Sequence, residues 1–318
     1  MAELSARFIE TNGVRLYVAE AGQGPLVLLL HGFPESWYSY RHTLRALAAA
    51  GFHAAAPDQR GYGESDRPAS IEAYDQVELA ADAAGLIEAL GHRDAVVVGH
   101  DWGAPVAWHT ALLHPDRVRA VVGASIPYGG RPKQSPLATM RNLFEDRFFY
   151  MLYFQEPGRA EAELEADVRR SLRILFHVWS GDAPPGAAAP SKGPGAGLLE
   201  GMPEPAELPA WFASEDLDYY TARFERSGFS GPLNWYRNFD RTFERTASLQ
   251  EARVSQPALF IAGERDPALL MMTRARQRMA EYVPKLRAEI ILPKVGHWTQ
   301  QEAPSAFDAA LIHFLRTL

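Results

Sequence analysis

Two hydrophobic periods alternate along this chain. Short apolar runs occur at PLVLLLHG (25–32), DAVVVGH (94–100), RAVVGASI (119–126), ALFIAG (258–263) and AEIILP (288–293). Such a run, apolar on both faces, suits a strand covered on both sides. FHAAAPD (52–58) is a weaker run of the same kind. Between the runs, residues 36–50, 74–90 and 102–114 read as helices, the last two closed by Gly91 and Pro115. Residues 8–20 read as two short strands about Asn12-Gly13, a dipeptide that tolerates positive φ at both turn positions. The alternation predicts an α/β fold with a mostly parallel sheet and helices on both faces.

The pattern breaks from about 131 to 247, where helices and loops replace buried strands, and the sheet resumes at 258. This predicts a helical cap or lid (131–247) inserted between two parts of one α/β core, 1–130 and 248–318. Inside the cap, residues 181–210 are rich in Gly, Pro and Ala and read as a long surface loop.

VVVGHDWGAPVAW (96–108) runs from a strand through Gly99-x-Asp101-x-Gly103 into a helix. That is a nucleophile elbow with aspartate where serine is usual. Alone, an aspartate here could simply cap a helix. Its partners decide, and in this architecture they follow in the order nucleophile, acid, histidine. Asp266 in AGERDPAL follows one late strand, and His297 in PKVGHWTQ follows the next. His313 falls in the terminal amphipathic helix and reads as a packing or surface residue. IPYGG, after the strand at 119–126, offers no carboxylate. His31-Gly32-Phe33-Pro34 follows the first long strand, where a loop can donate a backbone N–H to an oxyanion hole. The expected donors are Phe33 and the residue after the nucleophile, Trp102.

HGFPESWYSYR, GYGESDRP, GHDWGAPVAW, YFQEPGRAEAELE, GFSGPLNWYRNF, GERDPAL and VGHWTQQEAP occur in this order across nearly the whole chain. With them the chain resembles the soluble epoxide hydrolase family of the α/β-hydrolase fold. The resemblance implies Asp101 as nucleophile, Asp266 as acid and His297 as base. It also implies Tyr153 of YFQEPG and Tyr236 of LNWYRN as two lid tyrosines that hold the epoxide oxygen. The insertion contains Tyr150, Tyr219 and Tyr220 as well, and composition does not choose among the five. Phe33, Pro34, Trp102 and Trp235 are expected to line an apolar pocket. Glu35 is a candidate for placing the hydrolytic water, or is simply a charge near a helix N-terminus.

The expected reaction converts an epoxide to a vicinal diol through an ester on Asp101. A carboxylate, with a reference pKa of about 4, is already ionised at neutral pH and needs no base before attack. Its ester can be hydrolysed, whereas a serine ether could not. The rival is a haloalkane or haloacid dehalogenase, which uses the same nucleophile but needs N–H donors for a halide. Such enzymes usually carry Asn after His-Gly, or Arg after the nucleophile; here Phe33 and Trp102 stand at those places. A serine esterase lacks its serine here. A non-catalytic binding protein would commonly lack a nucleophile, base or lid donor, and none is missing. Neither the N-terminal phosphatase domain of mammalian relatives nor the membrane anchor of microsomal-type enzymes is expected.

Composition narrows the partners. The 318 residues are 47% hydrophobic and 22% charged, ordinary for a globular enzyme. A net charge of −7 disfavours nucleic acid. The absence of cysteine removes disulfides and thiol chemistry. No HExxH helix, Walker loop or strand-following GxGxxG is present, so no metal or organic cofactor is expected. GPGAG (193–197) lies in the long loop and is a poor phosphate site. No apolar run reaches the roughly 18 residues of a membrane span, and the start is unlike a secretory signal. The expectation is a cytoplasmic monomer or homodimer acting on a small apolar epoxide and water.

Overall fold

A computed structural model describes residues 4–318; residues 1–3, at the start of the first expected core segment, lie outside the described residues. Strands β1 (Leu4–Thr11) and β2 (Val14–Ala21) form the hairpin, and Asn12 and Gly13 take φ of 43° and 73° in its turn. Both strands extend beyond the expected span of 8–20. The chain then alternates through β3 (Leu26–Leu30), α1 (Arg41–Ala49), β4 (His53–Pro57), α2 (Gln76–Ala89), β5 (Ala95–His100), α3 (Gly103–Leu113) and β6 (Val118–Ala124). The eight-stranded sheet has the order β1-β2-β4-β3-β5-β6-β7-β8, completed by β7 (Ala258–Gly263) and β8 (Leu286–Leu292). Pairing is antiparallel for β1–β2 and β2–β4 and parallel for the rest.

The central strands are apolar on both sides because both sides are covered. Leu28, Leu30 and Val97 enter one hydrophobic cluster, and Val27, Leu29, Val96 and Val98 enter the other. This is the two-residue period of a strand sorting its side chains between layers. The second cluster is closed by α1 and the terminal helix, through Leu44, Leu47, Phe307 and Leu311. The first continues into the segment between β6 and β7.

That segment holds α4 (Pro136–Leu143), α5 (Tyr150–Tyr153), α6 (Arg159–Glu165), α7 (Val168–Val178), α8 (Ser214–Ser227), α9 (Ser230–Arg237) and α10 (Phe239–Arg245). No strand occurs in it, and residues 180–213 form no helix. Polar ties fasten this cap to the core. Asp75 caps α2 through the N–H groups of Val77 and Glu78 and pairs with Arg241 and Arg245 at 2.8 and 2.6 Å. Glu64 pairs with Arg223 and Arg226, and Asp216 pairs with Arg41 at 3.1 Å. The indole of Trp235 donates to the Arg60 carbonyl at 3.1 Å. No helix among the described residues is long and apolar enough to cross a membrane.

After β7 come α11 (Pro267–Met271) and α12 (Thr273–Tyr282), and after β8 come α13 (Thr299–Glu302) and α14 (Pro304–Leu315). Asp308 on α14 is 9% exposed and accepts from the Thr43 hydroxyl of α1 at 2.7 Å. Burial pushes its carboxyl up from 3.8 to about 6, more than the Thr43 hydrogen bond offsets. A raised carboxyl favours the fold in its protonated form. Ionisation therefore costs stability fully above pH 6, and the cost vanishes below the unfolded value near 3.8. Asp308→Asn keeps an acceptor for Thr43 and removes the charge. It is expected to raise unfolding stability at pH 8 by at most about 3 kcal/mol and to change little at pH 4. Equal effects at both pH values in denaturant titrations would exclude an ionisation cost at this site.

Candidate active site

Asp101 stands between β5 and α3 with φ of 49°, a left-handed conformation that a side chain resists. The turn closes because both neighbouring glycines lack a Cβ. One added at Gly99 would lie 1.9 Å from the Gly103 carbonyl oxygen, and one added at Gly103 would lie 2.0 Å from that of Leu30. A Cβ on Gly32 would lie 2.4 Å from Asp101 Oδ1, so that glycine makes room for the carboxylate.

The Phe33 N–H donates to Asp101 Oδ1 at 2.8 Å. The other oxygen, Oδ2, lies 3.4 Å from His297 Nε2. His297 Nδ1 lies 3.0 Å from Asp266 Oδ1. The elbow, the loop after β7 and the loop after β8 thus bring Asp101, Asp266 and His297 together, although the sequence spreads them over almost two hundred residues. Asp266 also caps α11 through the Ala268 N–H at 2.8 Å. Its second oxygen is buried without a hydrogen-bond partner among the described residues.

The charges set the proton's position. Burial alone would drive the proton off His297, but Asp266 and Asp101 outweigh it and hold the imidazole pKa well above 6.5. Burial would raise Asp101, yet the hydrogen bond and charge of His297 hold its carboxyl low. The imidazole thus lies between Asp101 and Asp266, and its protonated form is favoured there. His31, by contrast, accepts at Nε2 from the Gln59 N–H at 3.0 Å and is neutral; burial lowers its pKa to about 4.

Glu35 is fully buried under this arrangement. It accepts from the Gly32 N–H at 3.1 Å, His100 Nδ1 at 2.8 Å, and the side-chain amides of Gln300 and Gln301 at 3.0 and 2.9 Å. His100 Nε2 faces the His297 carbonyl oxygen at 2.7 Å. Both ring nitrogens of His100 thus lie within hydrogen-bond reach of an oxygen. This contact set ties the loop after β3 to the last residue of β5 and to α13. The sequence reading gave His100 no role. The signal was available: a histidine at the end of a buried strand, with a glutamate on the neighbouring loop.

Over Asp101 lies an aromatic roof. Tyr236 of α9 packs edge-on against Phe33 and Trp102, with ring centroids 5.6 and 4.9 Å apart. Burial first, then the Asp101 charge, raise its phenol well above 10. Tyr150, at the start of α5, lies 6.1 Å from Tyr236 and 6.0 Å from Trp179, which in turn lies 5.2 Å from His297. Burial and the charges of Asp101 and Asp266 raise the Tyr150 phenol in the same way.

Tyr153 is placed elsewhere. Its hydroxyl donates to Glu163 Oε2 at 2.8 Å, and the Arg159 guanidinium lies 4.7 Å from its ring. Glu163 also accepts from the N–H groups of Leu198 and Leu199, so Tyr153 helps anchor the Gly/Pro/Ala-rich loop. The tyrosine associated with Asp101 is therefore Tyr150, one turn earlier. The stretch YFQEPGRAEAELE held the clue, because its own Glu163 supplies the acceptor that occupies Tyr153.

Trp235 also differs from expectation. It is 1% exposed and packs edge-on to Tyr62 and Trp102, so it pegs the cap to the core and offers substrate no surface. Phe33 and Trp102 keep 8% exposure, and Pro34 is buried behind a cis Phe33–Pro34 peptide. Among the described residues, no three His, Cys, Asp or Glu side chains converge as a metal ion would require.

Comparison with known proteins places this geometry. The alpha/beta hydrolase fold family matches residues 25–304. Epoxide hydrolase A of Mycobacterium tuberculosis is 50% identical, over 100% of this chain and 99% of its own length. Bifunctional epoxide hydrolase 2 of Sus scrofa is 39% identical over 96% of this chain and 54% of its own length. The crystal structure of epoxide hydrolase A from Mycobacterium thermoresistibile superposes with a TM-score of 0.94 at 49% identity, covering 99% of this chain and 98% of that one.

The electrostatic arrangement is directly testable. With its folded pKa above 6.5, a protonated His297 stabilises the fold fully below that value, and the contribution is lost as pH rises through the raised one. Asp101→Asn removes one of the two carboxylates that hold the proton. The NMR titration midpoint of the His297 ring is expected to move to lower pH. A midpoint that stays in place would show that Asp101 does not hold it.

Proposed function

The chain belongs to the epoxide hydrolases of the α/β-hydrolase fold, and on that premise we propose that it opens its substrate in two steps, through an ester on Asp101. One observation carries this reading. Asp101 presents one oxygen to the Phe33 N–H and the other toward His297, itself backed by Asp266. The oxygen held by Phe33 is suited to become the ester carbonyl, and the other to attack an epoxide carbon.

Attack breaks a C–O bond of the strained ring and leaves an alkoxide. The phenols of Tyr150 and Tyr236, both protonated at neutral pH, donate to it. This replaces the expected pair Tyr153 and Tyr236. Attack also turns the Asp101 anion into a neutral ester. The charge that raised His297 and both phenols then disappears, so all three release protons more readily once the ester exists. The imidazolium proton replaces the one the phenols give to the alkoxide, which leaves His297 neutral. It can then take a proton from water, and the hydroxide attacks the Asp101 carbonyl carbon. The Phe33 N–H, with that of Trp102, stabilises the oxyanion on Oδ1; each such donor is typically worth about 3 kcal/mol. Collapse releases the vicinal diol and regenerates the carboxylate. Phe33, Trp102, Tyr150, Tyr236 and Trp179 give the pocket aromatic walls, which suits a small apolar epoxide. A halide would need N–H donors, and the indole of Trp235 is committed to Arg60.

Single turnover in ¹⁸O-water with enzyme in excess should place label in the Asp101 carboxylate, read by mass spectrometry of its peptide. Label in the diol with none in the protein would refute the ester. Tyr150→Phe and Tyr236→Phe should each lower kcat on styrene oxide about a hundredfold or more. Tyr153→Phe should leave kcat within about threefold, its effect falling on thermal stability. The reverse ranking would return the role to Tyr153.

A further inference from the structure

A cavity lies on the cap, lined by none of the residues of the site just described except Tyr153. It has a volume of about 340 Å³, within the range of pockets that hold small organic ligands. Its apolar side comes from Phe148, Phe149, Leu152 and Tyr153, and Phe149 stacks on Phe144 with ring centroids 3.9 Å apart. Pro194, from the Gly/Pro/Ala-rich loop, closes the far side. Three ties hold that loop in place. Phe148 N–H donates to the Lys192 carbonyl, Arg159 donates to that of Gly195, and Glu163 accepts from Leu198 and Leu199.

The polar lining is cationic. Arg141, Arg147 and Arg159 line the cavity with Glu145, and Arg159 also pairs with Glu156 at 3.5 Å outside the lining. This local sign opposes the net charge of −7 for the whole chain. Neither Arg141 nor Arg147 forms an ion pair among the described residues. Arg147 lies 4.8 Å from the Phe144 ring and Arg159 lies 4.7 Å from the Tyr153 ring. Guanidinium groups held over aromatic faces can still donate in the ring plane to an anion. An apolar floor with unneutralised guanidiniums at its edge is complementary to a molecule with an apolar body and one anionic end.

We propose that this cavity binds an amphipathic organic anion, such as a medium-chain carboxylate, at a site separate from Asp101. The cavity lining does not include Asp101, His297, Tyr150 or Tyr236. Phe149 and Tyr153 face the cavity, while Tyr150 between them in sequence joins the roof over Asp101.

The test uses octanoate, with octanol as the uncharged probe, titrated calorimetrically into the full-length protein. Octanoate should bind saturably and at least tenfold more weakly to the double variant R141Q/R147Q. Octanol should bind both proteins alike. Both arginines are exposed, so the variant is expected to fold and to keep its kcat/KM on styrene oxide within twofold. Octanoate that binds the double variant as tightly as wild type overturns the proposal. So does an absence of saturable binding, or strict competition with styrene oxide at a Ki that the double variant leaves unchanged. The readout is binding, so it stands whether or not the ester mechanism does.

Discussion

Asp101 sits in a backbone conformation that costs an L residue about 1–2 kcal/mol, and the architecture around it exists to sustain that conformation. β5 ends and α3 begins within three residues, so the two elements nearly touch across Gly99 and Gly103. Hydrogen bonding of the Asp101 N–H to Ala124 on the neighbouring strand, at 3.3 Å, ties the turn to the sheet. The strained residue is thereby raised off the strand ends. There its carboxylate meets the Phe33 N–H on one side and His297 on the other.

A second carboxylate holds the loops in which these partners lie. Glu35 gathers the HGFP loop through Gly32, the end of β5 through His100, and α13 beyond the loop after β8 through Gln300 and Gln301. A buried carboxylate is tolerable only when its acceptor sites are filled, and here four donors fill them. The same condition makes the knot exacting, since loss of one donor leaves charge without compensation. Trp179, at the end of α7, adds a tie from the cap by accepting from the His297 N–H at 2.9 Å. His297 is therefore positioned by core and cap together.

Charge then coordinates what geometry has assembled. His297, Tyr150 and Tyr236 all have pKa values raised in part by the Asp101 anion. Any chemistry that neutralises Asp101 shifts all three in the same direction at once. The cap contributes the phenols and the core contributes the carboxylates. The ion pairs of Asp75 and Glu64 with cap arginines, and of the cap's Asp216 with Arg41 of α1, keep the two in register.

The amino-acid sequence by itself determined the layering and the elbow. Uninterrupted Val and Leu runs need cover on both faces, and Gly99-x-Asp101-x-Gly103 between such a run and a helix has few other readings. It also placed Asp266 and His297 on loops after late strands, since strand ends are legible from local hydrophobicity. Which tyrosine faces Asp101 was decided only in three dimensions. Tyr150 and Tyr153 share one short helix, and Glu163, ten residues beyond Tyr153, is a clue only once the fold shows that it captures that phenol and leaves Tyr150 to the aromatic roof. Trp235 likewise looked like a pocket wall until its indole was seen bonded to Arg60. Glu35 and His100 were legible as residues but not as a contact, because 65 positions separate them. Local pattern records where the chain is strand, turn or helix. Which side chains share a proton or a charge depends on where the packed layers bring distant loops together, and no local period encodes that.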